Sequence, residues 1–327
     1  MNSETSGSSR QMGVLVLGAG RSGTSTLTRG LAALGVDIGR HFFRPVRKNP
    51  RGNYEEKHLL TLSKQVRNSL GMRADSVHLV DQAAWDQPGP RDLSHQMQQA
   101  VNRWFGHAPV WAFKYAGNGR LIPFWLALFE RMEIEPAFVF AYRNPLSIRA
   151  SREKLNRARA HPGHNQLEWL ANVLPHIDRL QGRRLVVVDY DRLLEQPEHE
   201  LGRVADALSI ARGPEVEAGI RQFSGEFLRH DWRHTRFDDE MLRKDRNLLA
   251  LVRRSALLLS AMARDNPSIE DPGLWEQWRA LQAEYRELGP MLQLIEDFKR
   301  ANRRARWWDL SEPLRAVWNK VPVFRLR

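Results

Sequence analysis

Val14-Leu15-Val16-Leu17-Gly18-Ala19-Gly20-Arg21-Ser22-Gly23-Thr24-Ser25-Thr26-Leu27 is the stretch that decides the fold class. Four apolar residues enter a glycine-rich turn, and a helical pattern follows over Thr26 to Leu34. A strand, a tight loop and a helix start in that order aim backbone N–H groups and the positive end of a helix dipole at one point, which favours an anion there. Three patterns fit the string. Gly18-x-Gly20-x-x-Gly23 has dinucleotide-fingerprint spacing, and Gly18-x-x-x-x-Gly23 before Thr24-Ser25 is a Walker A loop without its lysine. In the third pattern Arg21 precedes Ser22-Gly23-Thr24-Ser25-Thr26, so the cation lies inside the loop and hydroxyls line the helix start. A triphosphate loop needs a lysine where Thr24 stands, which disfavours a kinase or ATPase. A dinucleotide site needs an acid about 20 residues on, closing a second strand. Asp37 is near that distance, but Val36-Asp37-Ile38-Gly39 makes a poor strand. The third pattern suits a dense terminal anion and no metal; an ordinary βα turn without a ligand is the plain alternative.

Further along the chain, short apolar runs alternate with helical patterns. Val14–Leu17, Val110–Phe113, Ala137–Tyr142 and Leu185–Asp189 are nearly continuous apolar runs, the signature of strands covered on both faces. Helical periodicity covers Thr26–Leu34, Glu56–Leu70, Leu93–Phe105, Leu121–Met132, Leu146–Ala158 and Gln166–Leu180. The expected fold class is therefore α/β: a parallel sheet flanked by helices, of the P-loop nucleotide-binding type. Ligands of such sheets sit at the carboxyl ends of the strands. That rule nominates the loop from Gly18, then Lys114, Arg143 and Tyr190. Beyond about Pro214 the strand signal fades, and Leu242–Ala263, Leu274–Leu288 and Met291–Arg304 read as amphipathic helices. The expected organisation is a disordered, Ser-rich stretch over 1–11, a nucleotide-binding domain over 12–240 and a helical C-terminal part over 241–327.

Composition narrows the partners. The 327 residues hold 50 Lys plus Arg against 38 Asp plus Glu, an excess that suits an anionic partner. Nucleic acid is not expected, because no DNA- or RNA-binding signature accompanies the charge. With no cysteine, disulfides, thiol chemistry and thiolate metal sites are excluded. No apolar run is long enough to span a membrane, and the start is no signal peptide, so a cytoplasmic protein is expected. The tail from Arg303-Arg304-Ala305-Arg306-Trp307-Trp308 through Val317-Trp318 is basic and tryptophan-rich. Its plainer reading is a helix that packs its tryptophans on the domain; the sharper one is peripheral contact with an anionic membrane surface.

A second basic–hydroxyl pair follows the third strand. Arg143-Asn144-Pro145 ends that strand, and Ser151 falls about two turns into the next helix. With these residues in place the chain resembles the sulfotransferases that use 3′-phosphoadenosine 5′-phosphosulfate (PAPS). Their 5′ loop is similar to Arg21-Ser22-Gly23-Thr24-Ser25-Thr26, and their 3′-phosphate element, an Arg followed eight positions later by a Ser, is similar to Arg143 and Ser151. Leu185–Leu194 with Pro197 resembles the strand and turn that follow. Gly52-Asn53-Tyr54-Glu55 and Trp111-x-x-Lys114 resemble the bacterial and carbohydrate-acting branches. The likeness covers about residues 12 to 210.

The resemblance implies sulfuryl transfer from PAPS to an acceptor hydroxyl, without metal. Gly20, Arg21, Ser22, Gly23, Thr24, Ser25 and Thr26 would hold the 5′ end of the donor, and Arg143 with Ser151 the 3′-phosphate. Arg21 and Lys114 would stabilise the departing charge, and Glu55 would be the general base, with Glu56, His41 and His58 as rivals. Arg21 stands where many relatives have lysine, and Ala116 where cytosolic relatives have the catalytic histidine. Arg229-His230 with Arg233 and His234 reads either as an exposed basic turn or as a further clamp on the 3′-phosphate. A small-molecule or glycan acceptor is expected, a carbohydrate or glycolipid by likeness to those branches. The alternatives are a P-loop nucleotide or sugar kinase and a non-catalytic module that holds a nucleotide or acidic glycan.

Overall fold

A computed structural model describes residues 10–44, 52–155, 162–228, 237–265 and 268–318, with side chains described as far as Arg303 in the last segment. Four strands form the sheet: β1 (Met12–Leu17), β2 (Val110–Lys114), β3 (Glu135–Tyr142) and β4 (Arg184–Asp189). They lie on the four apolar runs and extend each of them by one or two residues. All pairings are parallel, in the order β2-β1-β3-β4. β1 therefore has neighbours on both sides, and the chain crosses over it between β2 and β3. That crossing is the switch point at which open α/β sheets place a ligand.

Side-chain size alternates along the strands with period two. Val14, Val16, Ala112, Ala137, Val139 and Ala141 face α1 (Thr24–Ala33), α8 (Pro197–Ala207) and α9 (Pro214–Gln222). Leu15, Leu17, Trp111, Phe113, Phe138 and Phe140 face the opposite way. There they meet α2 (Lys57–Ser69), α3 (Pro88–Phe105), α4 (Ile122–Arg131) and α6 (Pro162–Val173). Small residues on the first face let α1 come close. At Gly30 on α1 an added Cβ would stand 2.8 Å from Leu201 of α8. The C-terminal helices α11 (Ala250–Met262) and α12 (Pro272–Glu287) feed Leu259, Trp275, Trp278 and Tyr285 into the aromatic-face core. α13 runs from Gly289 to Trp318.

α3 starts five residues before its expected Leu93 and α13 continues past its expected end at Arg304 to Trp318, while two other helical patterns are divided or cut short. The pattern over Leu242–Ala263 is divided into α10 (Asp239–Lys244) and α11, because Asp245 turns the chain by accepting from the Asn247 N–H at 2.7 Å. The pattern over Gln166–Leu180 stops at Val173, since Pro175 has no N–H with which to continue it, and only a short 3₁₀ turn over Ile177–Leu180 follows. α5 (Pro145–Leu155) and α7 (Tyr190–Glu195) carry the chain away from β3 and β4.

Candidate functional site

Register explains why residues far apart in sequence meet at one edge of the sheet. Val16 pairs with Lys114, Leu17 with Phe140 and Tyr142 with Asp189. Gly18, Lys114, Arg143 and Tyr190 therefore leave their strands side by side. The turn after β1 depends on two glycines. Gly18 has φ +136, and a Cβ there would lie 2.6 Å from the Ala141 carbonyl oxygen. Gly23 has φ +90, and its Cβ would run into the Tyr190 ring at 2.1 Å. Between them Arg21 itself adopts φ +76, a conformation that non-glycine residues occupy at a cost and mostly at functional positions.

α1 begins at that turn with no side-chain cap and no acid in its first turn. The Ser22 hydroxyl is buried and unpartnered. Ser25 donates to the Asn53 carbonyl at 3.3 Å, and the Thr26 side chain is hydrogen-bonded to Tyr190. Thr28, one turn further on, donates back to the Thr24 carbonyl at 2.8 Å.

The two basic–hydroxyl clusters touch. Arg21 Nε donates to Ser151 Oγ at 3.2 Å, and Arg143 Nη1 donates to the Arg21 carbonyl at 3.3 Å. The Arg143 guanidinium lies 4.6 Å over the Tyr190 ring, with its Nε buried and unpartnered. Among the described residues no carboxylate pairs with Arg21 or Arg143. Burial, and then the Arg143 charge, hold the Arg21 guanidinium below its ordinary range. Arg152, next to Ser151, is committed to Asn165 at 2.6 Å and Glu168 at 2.7 Å. The result is an uncompensated positive surface around an uncapped helix start. Such a surface attracts a dense anion, because charge-assisted hydrogen bonds are stronger than neutral ones.

Lys114 closes the other side of the loop. It is 5 % exposed, and its Nζ donates to Glu55 Oε1 at 2.9 Å and to the Asn53 carbonyl at 3.1 Å. Burial pushes its ammonium below the ordinary lysine range and the nearby Arg21 charge adds to this, while Glu55 opposes both. Asn53 thus ties Ser25 and Lys114 together through one carbonyl. Tyr190 is nominated in sequence only by its place after a strand, and Asn53 is given no role at the site. Only strand register and the return of the 52–56 segment bring them in, and neither of these is local in sequence.

The rival bases have other partners. Glu56 caps α2 by accepting from the Leu59 N–H at 2.8 Å, and its other oxygen meets His58 Nδ1 at 2.8 Å. His41 and His58 both pack on Trp104, at ring separations of 4.4 and 4.6 Å. His41, Glu56 and His58 are also the one trio among the described residues whose ligand atoms lie close enough to share a metal ion, but both Glu56 oxygens already accept hydrogen bonds. Arg229, His230, Arg233 and His234 lie outside the described residues, as do the tail side chains from Arg304 on.

The model of the sulfotransferase family matches residues 13–213, from β1 to the start of α9. The chain belongs to the sulfotransferase family. Among solved structures this sulfotransferase is similar to the sulfotransferase domain of the Synechococcus PCC 7002 olefin synthase, at 14% identity over 87% of this chain and 95% of that one, with a TM-score of 0.39. It is also similar to sulfotransferase STF9 from Mycobacterium avium, at 16% identity over 85% and 76%, with a TM-score of 0.42. The sulfotransferase domain from the curacin biosynthetic pathway gives 18% identity over 87% and 99%, with a TM-score of 0.39. No curated protein matches the chain. No helix among the described residues is long and apolar enough to cross a membrane.

Proposed function

We propose that this sulfotransferase takes its sulfuryl group from PAPS and passes it to an acceptor hydroxyl, with a carbohydrate or glycolipid as the acceptor class. The observation that carries this reading is the contact of Arg21 with both Ser151 and Arg143 beside an uncapped helix start, with no carboxylate among the described residues to neutralise either arginine. In this reading Gly20 to Thr26 hold the 5′ phosphosulfate through backbone N–H groups and hydroxyls, and Arg143 with Ser151 hold the 3′-phosphate. Positioning of this kind is most of what an in-line transfer asks of a protein.

Glu55 accepts the proton of the acceptor hydroxyl as the new O–S bond forms. The bond between sulfur and the bridging oxygen breaks, and 3′-phosphoadenosine 5′-phosphate leaves. Arg21 and Lys114 meet the charge that builds on the bridging oxygen. Arginine hardly gives up a proton, so Arg21 acts as a fixed charge. Lys114, with its affinity for protons weakened by burial, is the residue suited to share one with the leaving oxygen. The Lys114–Glu55 pair must loosen when acceptor binds, since Glu55 cannot receive a proton while held by the ammonium.

Thermal-shift comparison of 3′-phosphoadenosine 5′-phosphate, ATP with Mg²⁺ and NADH tests the donor class. A ligand selective for the native state raises the melting temperature. Only the adenosine bisphosphate is expected to do so; stabilisation by ATP with Mg²⁺ alone would move the protein to the kinase reading. Mass spectrometry of a cell extract incubated with enzyme and labelled donor then identifies the acceptor.

A further inference from the structure

Buried ions in this molecule are matched by opposite charge. Glu200, with no exposed surface, lies 2.9 Å from Arg192 and 2.8 Å from Arg203. Glu296 meets Lys299 at 2.8 Å, and Lys114 meets Glu55 at 2.9 Å. Arg120, in the short turn between β2 and α4, breaks that pattern. It is 6 % exposed, and its side chain makes no hydrogen bond and no ion pair among the described residues. Its Nε and Nη2 are sealed from solvent without a partner, which leaves Nη1 as the nitrogen open to an incoming group. The nearby carboxylate of Glu168 is already engaged by Arg152 at 2.7 Å. An unmatched buried guanidinium costs folding free energy.

Arg120 forms part of the wall of a cavity of ≈ 350 Å³ between the 72–82 segment, the end of α6 and α12. Arg286 of α12 lines the same cavity and also lacks a carboxylate partner among the described residues. His78 and His176 line it as well, and burial disfavours the charged form of both. Of the two wall carboxylates, Asp178 accepts from Gln282 at 2.8 Å; Asp81 is the other. Met72, Val80 and Pro175 supply apolar wall. A third arginine of the wall, Arg179, donates to Gln82 at 3.1 Å. The space falls within the range of pockets that take small organic molecules, which combine apolar wall with a few placed polar groups.

We propose that this cavity binds a small organic anion, with a carboxylate, sulfate or phosphate oxygen on Arg120 Nη1 and Arg286 and an apolar body against Met72, Val80 and Pro175. The occupant completes the ion pair that the fold leaves open. The site is separate from the Arg21–Arg143 cluster, and it stands whether or not PAPS is the donor.

Calorimetric titration of the full chain with benzoate, phenyl sulfate and phenol tests it. Benzoate and phenyl sulfate are expected to bind and phenol is not. Arg120→Met is expected to abolish that binding and, by removing an unmatched ion, to raise the melting temperature of the ligand-free protein. A merely structural arginine would lower the melting temperature when replaced. Should Arg120→Met not fold, Arg286→Gln, at an exposed position, carries the test by weakening both anions about 3-fold, the scale of an exposed charge contact. Saturation with 3′-phosphoadenosine 5′-phosphate is expected to leave the binding in place. No binding of either anion by the native protein, or binding that survives Arg120→Met, overturns the proposal.

An acid group on the acceptor and a free organic acid share this chemistry. Sulfuryl transfer to 4-hydroxybenzoate and to phenol separates the two sources. A preference for the acidic phenol that Arg120→Met erases assigns the anion to the acceptor. A rate on phenol that benzoate alters only in the native protein assigns it to a free acid.

Discussion

Lys114 and Arg120 are two cations six residues apart at the exit of one strand, equally buried and oppositely treated. Lys114 has Glu55 and a carbonyl; Arg120 has no hydrogen-bond or ion-pair partner among the described residues. The first is held at the edge of the loop between β1 and α1 in an ion pair that, on the proposed mechanism, must open. The second carries a charge that the folded chain alone does not satisfy. A buried ion pair is weak evidence for stability, but removing one partner from it is expensive. The pair and the unmatched charge should therefore respond in opposite directions to the loss of charge.

The largest effect is expected from Glu55→Leu, which strands Lys114 and should cost about 3–5 kcal/mol in urea unfolding. Adding Lys114→Met should recover most of it; if the double variant is no more stable than Glu55→Leu, the pair is not the source of the loss. Glu55→Gln should lower turnover by about 100-fold or more while leaving affinity for 3′-phosphoadenosine 5′-phosphate unchanged. Full turnover would hand the base role to Glu56, His41 or His58.

Asp189 offers the same comparison with the sign of the charge reversed. Burial raises its carboxyl to about 6, against the N–H donors of Asp191 and Arg192 and the Arg192 charge, which pull it down. Because the folded value exceeds the ordinary 3.8, the native state holds an extra proton between these limits, and stability falls as pH rises through that window. Asn at this position keeps the acceptor for both N–H groups and cannot ionise. Asp189→Asn should therefore stabilise the protein by on the order of 2–3 kcal/mol at pH 8 and by little at pH 3.5. A gain independent of pH would mean that packing, not charge, is responsible.

Arg143→Ala should weaken binding of 3′-phosphoadenosine 5′-phosphate by ~1.5–3 kcal/mol, the range for hydrogen bonds to charged groups. An unchanged dissociation constant removes Arg143 from the donor site. The smallest effect sharpens the opening contrast: Arg120→Met should gain about 1 kcal/mol in the ligand-free protein, at the low end of what replacing buried ions by apolar groups yields.

Local order along the chain was enough for the strands and the loop between β1 and α1. Val14–Leu17 before Gly18 reads directly as a buried strand entering a tight turn, whereas the need for glycine at position 23 comes also from the Tyr190 ring, which only the fold brings there. Arg143 and Ser151 are nominated together because Ser151 lies about two turns into the helix that follows Arg143, and in the fold each is hydrogen-bonded to Arg21. Lys114 with Glu55, Asn53 with Ser25, and Tyr190 under Arg143 depend instead on which strand lies beside which. Parallel pairing joins residues about 100 apart in sequence, as Val16 with Lys114, and no local pattern encodes that choice. The Arg120 cavity lies further still from local reading. Its wall needs β2, the 72–82 segment, α6 and α12 to converge, and whether an arginine is matched or stranded depends on every neighbour that the folded chain brings within reach.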